Sequence, residues 1–216
     1  MSRDETRDQM LALIGRIYDA ALAPHEWENV TRDIVRFVGG TRGLLFTPYH
    51  TPRDGGFYFP CGLSESFMQE WADRYVQHDV WATAGVTKNL LKDGNVVLDI
   101  DLVPAEIFEQ TVFYREFLSH LDIGRLCCGV VFGDELPGIL PTTCSIYRTH
   151  AAPYSEEERH RLEVLMPHLS RSLGVMMRLR SDEFTVAGSL AALDRLNPGV
   201  LLLYASAQVS FVNPVA

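Results

Sequence analysis

Between Phe67 and Trp81, two aromatic rings and a carboxylate recur at every fourth position, Trp71, Tyr75 and Asp79, and Trp81 follows two residues later. Side chains four apart share one face of a helix, so the spacing predicts an apolar wall with a polar end. Small-molecule pockets have that composition, because a few polar groups orient a ligand held mainly by apolar contact. The same residues allow a plainer reading. Trp and Tyr at helical spacing also build ordinary cores, and an Asp ahead of the β-branched Val80 is placed to cap or solvate a turn. Phe46, Tyr58 and Tyr147 stand in strand-like runs from which they can face the same cavity, once register decides which side each strand presents. Phe113, Tyr114 and Phe117 read as core.

Other chemistry is not called for. The sequence contains no nucleophile elbow, phosphate loop, zinc helix or dinucleotide fingerprint. Gly39-Gly40 and Gly55-Gly56 are too short to cradle a phosphate. Asp99 and Asp101, two apart in what reads as an extended segment, share a face and are expected to be solvated. The chain therefore reads as a binding protein and not as an enzyme. Its four cysteines, Cys61, Cys127, Cys128 and Cys144, form no CxxC pair, and its seven histidines show no ligand spacing. Buried free thiols in a reducing compartment, with neither metal nor cofactor, are the expectation.

Length and composition bound the rest. With 216 residues, 47% of them hydrophobic and 22% charged, the chain has the make-up of a globular protein with one good core and a partial second element. Apolar runs such as Gly199 to Leu203 are too short to span a bilayer, and Met1 to Asp8 lacks the apolar stretch of a signal peptide. A cytoplasmic protein without membrane contact is expected. The net charge of −9 opposes binding to a phosphate backbone, which needs clustered Lys and Arg.

The elements that must position the aromatic row follow from periodicity and punctuation. Leu11, Ile14, Ile17, Tyr18 and Ala21 recur at helical spacing over Asp8 to Leu22. Pro24 opens a second helix with Trp27, Val30, Ile34, Phe37 and Val38 on one face, ending at Gly39 and Gly40. Leu44 to Thr47 and Phe57 to Phe59 read as strands joined by a loop carrying Pro48, Pro52, Asp54, Gly55 and Gly56. Ser64 is the expected cap of the aromatic helix. Val96 to Ile100 reads as a short strand, and Pro104 starts a helix through Phe108, Val112, Phe113, Phe117 and Leu118. Leu126 to Phe132 and Thr143 to Tyr147 form an expected antiparallel hairpin, with Gly133, Asp134, Glu135, Pro137 and Gly138 between them. Ser155 and Glu158 have capping-box spacing ahead of a long helix to about Arg180, which Pro167 should kink. On it Leu162, Met166, Leu169, Leu173 and Met176 step by four and three, as in a coiled-coil seam. That stripe suits either a dimer contact or packing on the chain's own sheet. A polar break at Ser181 to Glu183, a helix over Val186 to Leu196 that ends at Asn197, Pro198 and Gly199, and strand-like runs Val200 to Tyr204 and Val209 to Val212 complete the pattern. The reading is of two regions, 1–180 and 181–216, the second being the opening of a further module.

This order of elements, with Phe113-Tyr114-Arg115-Glu116-Phe117-Leu118 and Leu165-Met166-Pro167-His168-Leu169, resembles the sensory part of LuxR-type bacterial transcriptional regulators over roughly Leu11 to Val212. Ala191-Ala192-Leu193-Asp194-Arg195-Leu196, Gly199 to Leu203 and Phe211-Val212-Asn213 resemble the start of a PAS-like segment. The resemblance implies an α/β (α+β) fold: a GAF- or PAS-like antiparallel sheet of about five strands with helices on both faces and a long C-terminal helix. It implies a small-molecule effector, a homodimer, and a helix-turn-helix domain beyond these residues, whose Thr-x-x-Glu-x-x-Val/Ile signature is not found after Ser181. In the acyl-homoserine-lactone branch a Trp, a Tyr, an Asp and a second Trp hold the ligand, and the matching positions are Trp71, Tyr75, Asp79 and Trp81. That branch separates its Tyr and Asp by more than four positions and carries Pro where Val80 stands. The other reading is an interaction module whose seam dimerises and whose interior is packed shut.

Overall fold

Apolar residues spaced by three and four fold the N-terminus into two helices, described here from a computed structural model that covers residues 3–48, 56–133, 140–195, 198–203, 206 and 208–215. Helix α1 (Arg3–Asp19) buries Leu13 and Ile17, and Ala20 and Ala21 follow them into the core. Leu11 and Tyr18 were expected on this face but are exposed, since both lie about 100° or more around the helix from Ile17. Helix α2 (Trp27–Val38), entered through a turn at Pro24–Glu26, buries Trp27, Val30, Thr31, Ile34, Val35 and Val38. Phe37 is only half-buried, and Val35 takes the inner position. The helix stops because Gly39 adopts φ +91°, which returns the Gly39 and Gly40 N–H groups to the Arg36 and Val35 carbonyls.

Strands β1 (Arg42–Phe46), β2 (Tyr58–Cys61), β3 (Val96–Leu98), β4 (Arg125–Phe132) and β5 (Thr142–Arg148) form one antiparallel sheet in the order β2-β1-β5-β4-β3. Register aligns Pro60, Leu44, Ser145, Cys128 and Val97 in a single row. By alternation that row shares one face, while Leu45, Cys144, Gly129 and Val96 share the other. The second face packs on helices. Trp27 of α2 stacks on Phe59 with centroids 6.0 Å apart, and a Cβ on Gly129 would strike Met166 of helix α7 (Glu156–Asp194). Other helices cover the first face, so the mixed α/β class with helices on both sides is the observed one.

The segment of the aromatic row is not one helix. Helix α3 (Glu65–Glu70) widens into a π turn at Trp71–Tyr75, tightens into a 3₁₀ turn at Val76–His78, and restarts as α4 (Val80–Thr87). Ser64 occupies the N-cap of α3, but its hydroxyl bonds to the Ser66 hydroxyl at 2.9 Å and caps no N–H. Beyond β3, the expected strand to Ile100 bends at once into α5 (Asp99–Leu102), because the Asp101 carboxylate accepts from the Leu98 N–H at 2.9 Å. Asp99 is not solvated as expected: it is buried and paired with Arg125 at 2.9 Å. The helix expected from Pro104 divides into α6 (Ala105–Phe108) and a π turn at Phe113–Leu118.

The expected capping box opens α7. The Ser155 N–H donates to Glu158 Oε2 at 2.8 Å, and the Glu158 N–H donates to Ser155 Oγ at 3.3 Å. The helix then runs continuously for 39 residues through Pro167 and through Ser181 to Glu183. No break occurs there, since the stretch contains neither Pro nor Gly to end a helix. Leu162, Met166, Leu169, Leu173 and Met176 are all buried. Leu162 and Met166 pack on Gly129 of the chain's own sheet, as the second of the two readings of this stripe expects. Tyr18 and the Ile17 carbonyl of α1 bond to His168 and Ser172 on the same helix.

The chain divides into two compact units, Met1–Ser172 and Leu173–Ala216, within α7. The second contains the hairpin of β6 (Leu201–Leu203) and β7 (Val209–Val212). There buried Asn213 accepts from the Val200 N–H at 2.8 Å and donates to the Pro198 and Leu193 carbonyls at 3.0 and 3.2 Å. Expected loop residues Pro52, Asp54, Gly55, Asp134, Glu135, Pro137 and Gly138, the helix end at Leu196 and Asn197, and Tyr204 lie outside the described residues. Among the described residues no helix is long and apolar enough to cross a membrane.

Candidate functional site

A cavity of about 440 Å³ lies between the first face of the sheet and the segment from α3 to α4. Leu44, Phe46, Cys128, Ser145 and Tyr147 form its floor, and Phe67, Trp71, Asp79 and Trp81 its roof. Thr83, Val86 and Thr87 of α4 line it while remaining exposed, which makes them its rim. The volume is in the range of drug-sized ligand sites.

Strand alternation sets the floor. Ser145 and Tyr147 point the same way from β5, and Cys128 stands opposite Ser145 on β4, with Sγ and Oγ 3.6 Å apart. Burial pushes the Cys128 thiol up to about 11 and raises the Tyr147 phenol, which has the Ser145 hydroxyl beside it. The roof is set by the break in the helix. A straight helix would hold residues 71 and 79 about 12 Å apart along its axis. The π and 3₁₀ turns instead bring Trp71 Nε1 within 3.0 Å of Asp79 Oδ2. Asp79 Oδ1 also accepts from the Ala82 N–H at 2.9 Å, so the same carboxylate is the N-cap of α4. Burial raises the Asp79 carboxyl above its ordinary value, against the lowering effect of hydrogen bonds from Ala82, Trp71 and Trp81.

Aromatic packing fixes the walls. Phe46 meets Trp71 edge-on, with centroids 6.4 Å apart. Trp81 stacks on Phe108 at 4.4 Å, lies parallel to Tyr147 at 6.4 Å and takes Phe113 edge-on at 6.0 Å. Its Nε1 is buried with no hydrogen-bond partner among the described residues.

Of the residues singled out in the sequence, Trp71, Asp79, Trp81, Phe46 and Tyr147 come together at this cavity. Tyr75 and Tyr58 do not line it. Tyr75 is turned by the π turn onto Phe117, 4.7 Å between centroids, and its hydroxyl donates to the Glu116 carbonyl at 3.4 Å. Tyr58 stands opposite Phe46 on the edge strand and packs against the surrounding core, its buried hydroxyl pushed up to about 12 by burial and by Glu28 and Glu65. Phe113 lines the cavity, Phe117 is buried beside it, and Tyr114 is half-buried. Cys128, Ser145 and Thr143 were missed. They lie two-residue steps from Tyr147 or opposite such a step, a signal readable once the β4–β5 register is known.

No family profile matches the chain, and no curated protein is similar to it at a significant level. Among solved structures, the VqsR ligand-binding domain from Pseudomonas aeruginosa is similar to it: 17% identical, with a TM-score of 0.56, over 77% of this chain and 95% of that one. A phycoerythrobilin-bound GAF domain from a cyanobacterial phytochrome matches at 14% identity and a TM-score of 0.48, over 80% of this chain and 97% of its own. The first likeness shows a shared fold.

Proposed function

We propose that this chain is the small-molecule-sensing region of a LuxR-type bacterial transcriptional regulator. The observation that carries the reading is the cavity itself, walled by aromatic residues around one inward carboxylate. An interaction module packed shut would leave no such space. The fold shared with the VqsR ligand-binding domain supports the same reading.

The ligand enters between the α3–α4 segment and the sheet, orders that segment and the stretch 82–93 that follows, and biases the arrangement of a cytoplasmic homodimer. It acts through its different affinities for the two states and leaves the site unchanged, with neither catalysis nor a cofactor. The dimer surface lies elsewhere than the buried stripe of α7. DNA contact belongs to a helix-turn-helix domain of the parent protein, since a chain of net charge −9 is a poor partner for a phosphate backbone.

Native mass spectrometry of the purified chain, before and after denaturation, tests this. A co-purified small molecule released on unfolding, or uptake of one from a metabolite extract with a change in subunit arrangement, is the expected result. An unliganded chain that takes up nothing and keeps one subunit arrangement would overturn it.

A further inference from the structure

We infer that the cavity selects a hydrophobic ligand bearing a positively charged amine and rejects the same body bearing a carboxylate. The inference rests on the sensor reading above and names the ligand's charge. Among the described residues, Asp79 is the one charged side chain on the cavity wall, and no Lys, Arg or His lines it. Two donors that could hold a ligand oxygen are already engaged. Trp71 Nε1 donates to Asp79, and the Tyr75 hydroxyl, outside the cavity, donates to Glu116. Trp81 Nε1 and the hydroxyls of Thr143, Ser145 and Tyr147 are neutral donors, enough for a hydroxyl or carbonyl but without the charge that would neutralise an anion.

Asp79 has room for more. An ionised carboxylate offers about four lone-pair sites, and its side-chain and backbone donors here are Trp71 Nε1 and the Ala82 and Trp81 N–H groups. An ammonium beside it forms a charge-assisted hydrogen bond and offsets the cost of holding a carboxylate away from water. The rings of Trp71, Trp81, Tyr147, Phe46 and Phe113 line the same space, and an aromatic wall attracts a cation where a ring face is open to it. A ligand carboxylate would instead add a second negative charge to a poorly screened space. The negative net charge of the whole chain works in the same direction at longer range.

The test is calorimetric titration of the whole chain with three probes of one shape: 4-phenylbutylamine, 4-phenylbutan-1-ol and 4-phenylbutanoate. The amine is expected to bind about tenfold or more tightly than the alcohol, with the carboxylate weakest. In Asp79→Asn, which keeps an N-cap side chain, the ratio of amine to alcohol should fall toward one. Equal binding of all three, or tightest binding of the carboxylate, overturns the inference and leaves the sensor reading standing. Binding of none overturns both. Should Asp79→Asn fail to fold, the ranking of the three probes on the unaltered chain decides alone.

Discussion

Asp99 is 4% exposed, with its carboxylate 2.9 Å from Arg125 and within 3.3 Å of the Leu126 N–H. Removing one partner of such a buried pair strands the other charge, at a cost of about 3–5 kcal/mol. Asp99→Ala should lower the urea midpoint accordingly. Asp33→Ala, which breaks an exposed pair with Arg16, should cost no more than about 1 kcal/mol. Equal midpoints for the two variants would show that Asp99 is better solvated than its surroundings imply. The sequence could not rank these carboxylates. Asp99 and Asp101 looked alike as two charges on one strand face, and what separates them is a helical turn that starts one residue after β3 and aims them differently. Trp71 and Asp79 show the reverse: the sequence placed both on one face of a straight helix, whereas a broken helix joins them and bonds one to the other.

At the scale of elements, α2, the β4–β5 hairpin and the capped start of α7 were readable because each carries its own local signal: a buried stripe closed by glycine, two strand-like runs, and a Ser–Glu box. The π turns at Trp71–Tyr75 and Phe113–Leu118 were not readable, because no residue type marks them. The stripe on α7 was ambiguous for another reason. Leucines spaced by three and four are required equally by a partner helix and by a sheet, and only the glycine at position 129 opposite Met166 decides between them. Leu169 is fully buried. Leu169→Ala should therefore lower stability by about 2–5 kcal/mol and leave the subunit count unchanged in light scattering. A variant that changed the subunit count at unaltered stability would restore the seam.

In the whole molecule, a polar chain runs from the cavity rim to α7. Lys88, just past α4, donates to the Asp101 and Leu102 carbonyls at 2.9 Å, and the Asp101 carboxylate meets Arg159 of α7 at 2.8 Å. None of this was visible in the sequence, because the three residues come from segments brought together only by the strand order. The same order has a chemical consequence for the thiols. Burial raises all four thiols, but Cys127, Cys128 and Cys144 are buried on β4 and β5, whereas Cys61 on the edge strand is partly exposed and has Arg32 and Arg36 acting against the rise. Alkylation depends on thiolate and access, so a maleimide should tag the folded chain once, at Cys61, and add its next tags only when β4 and β5 part. Counting adducts by mass against time would then give a stopwatch for opening of the sheet's centre. A ligand held against Cys128 should slow it, and four adducts appearing together would mean that the strands never open apart from the rest.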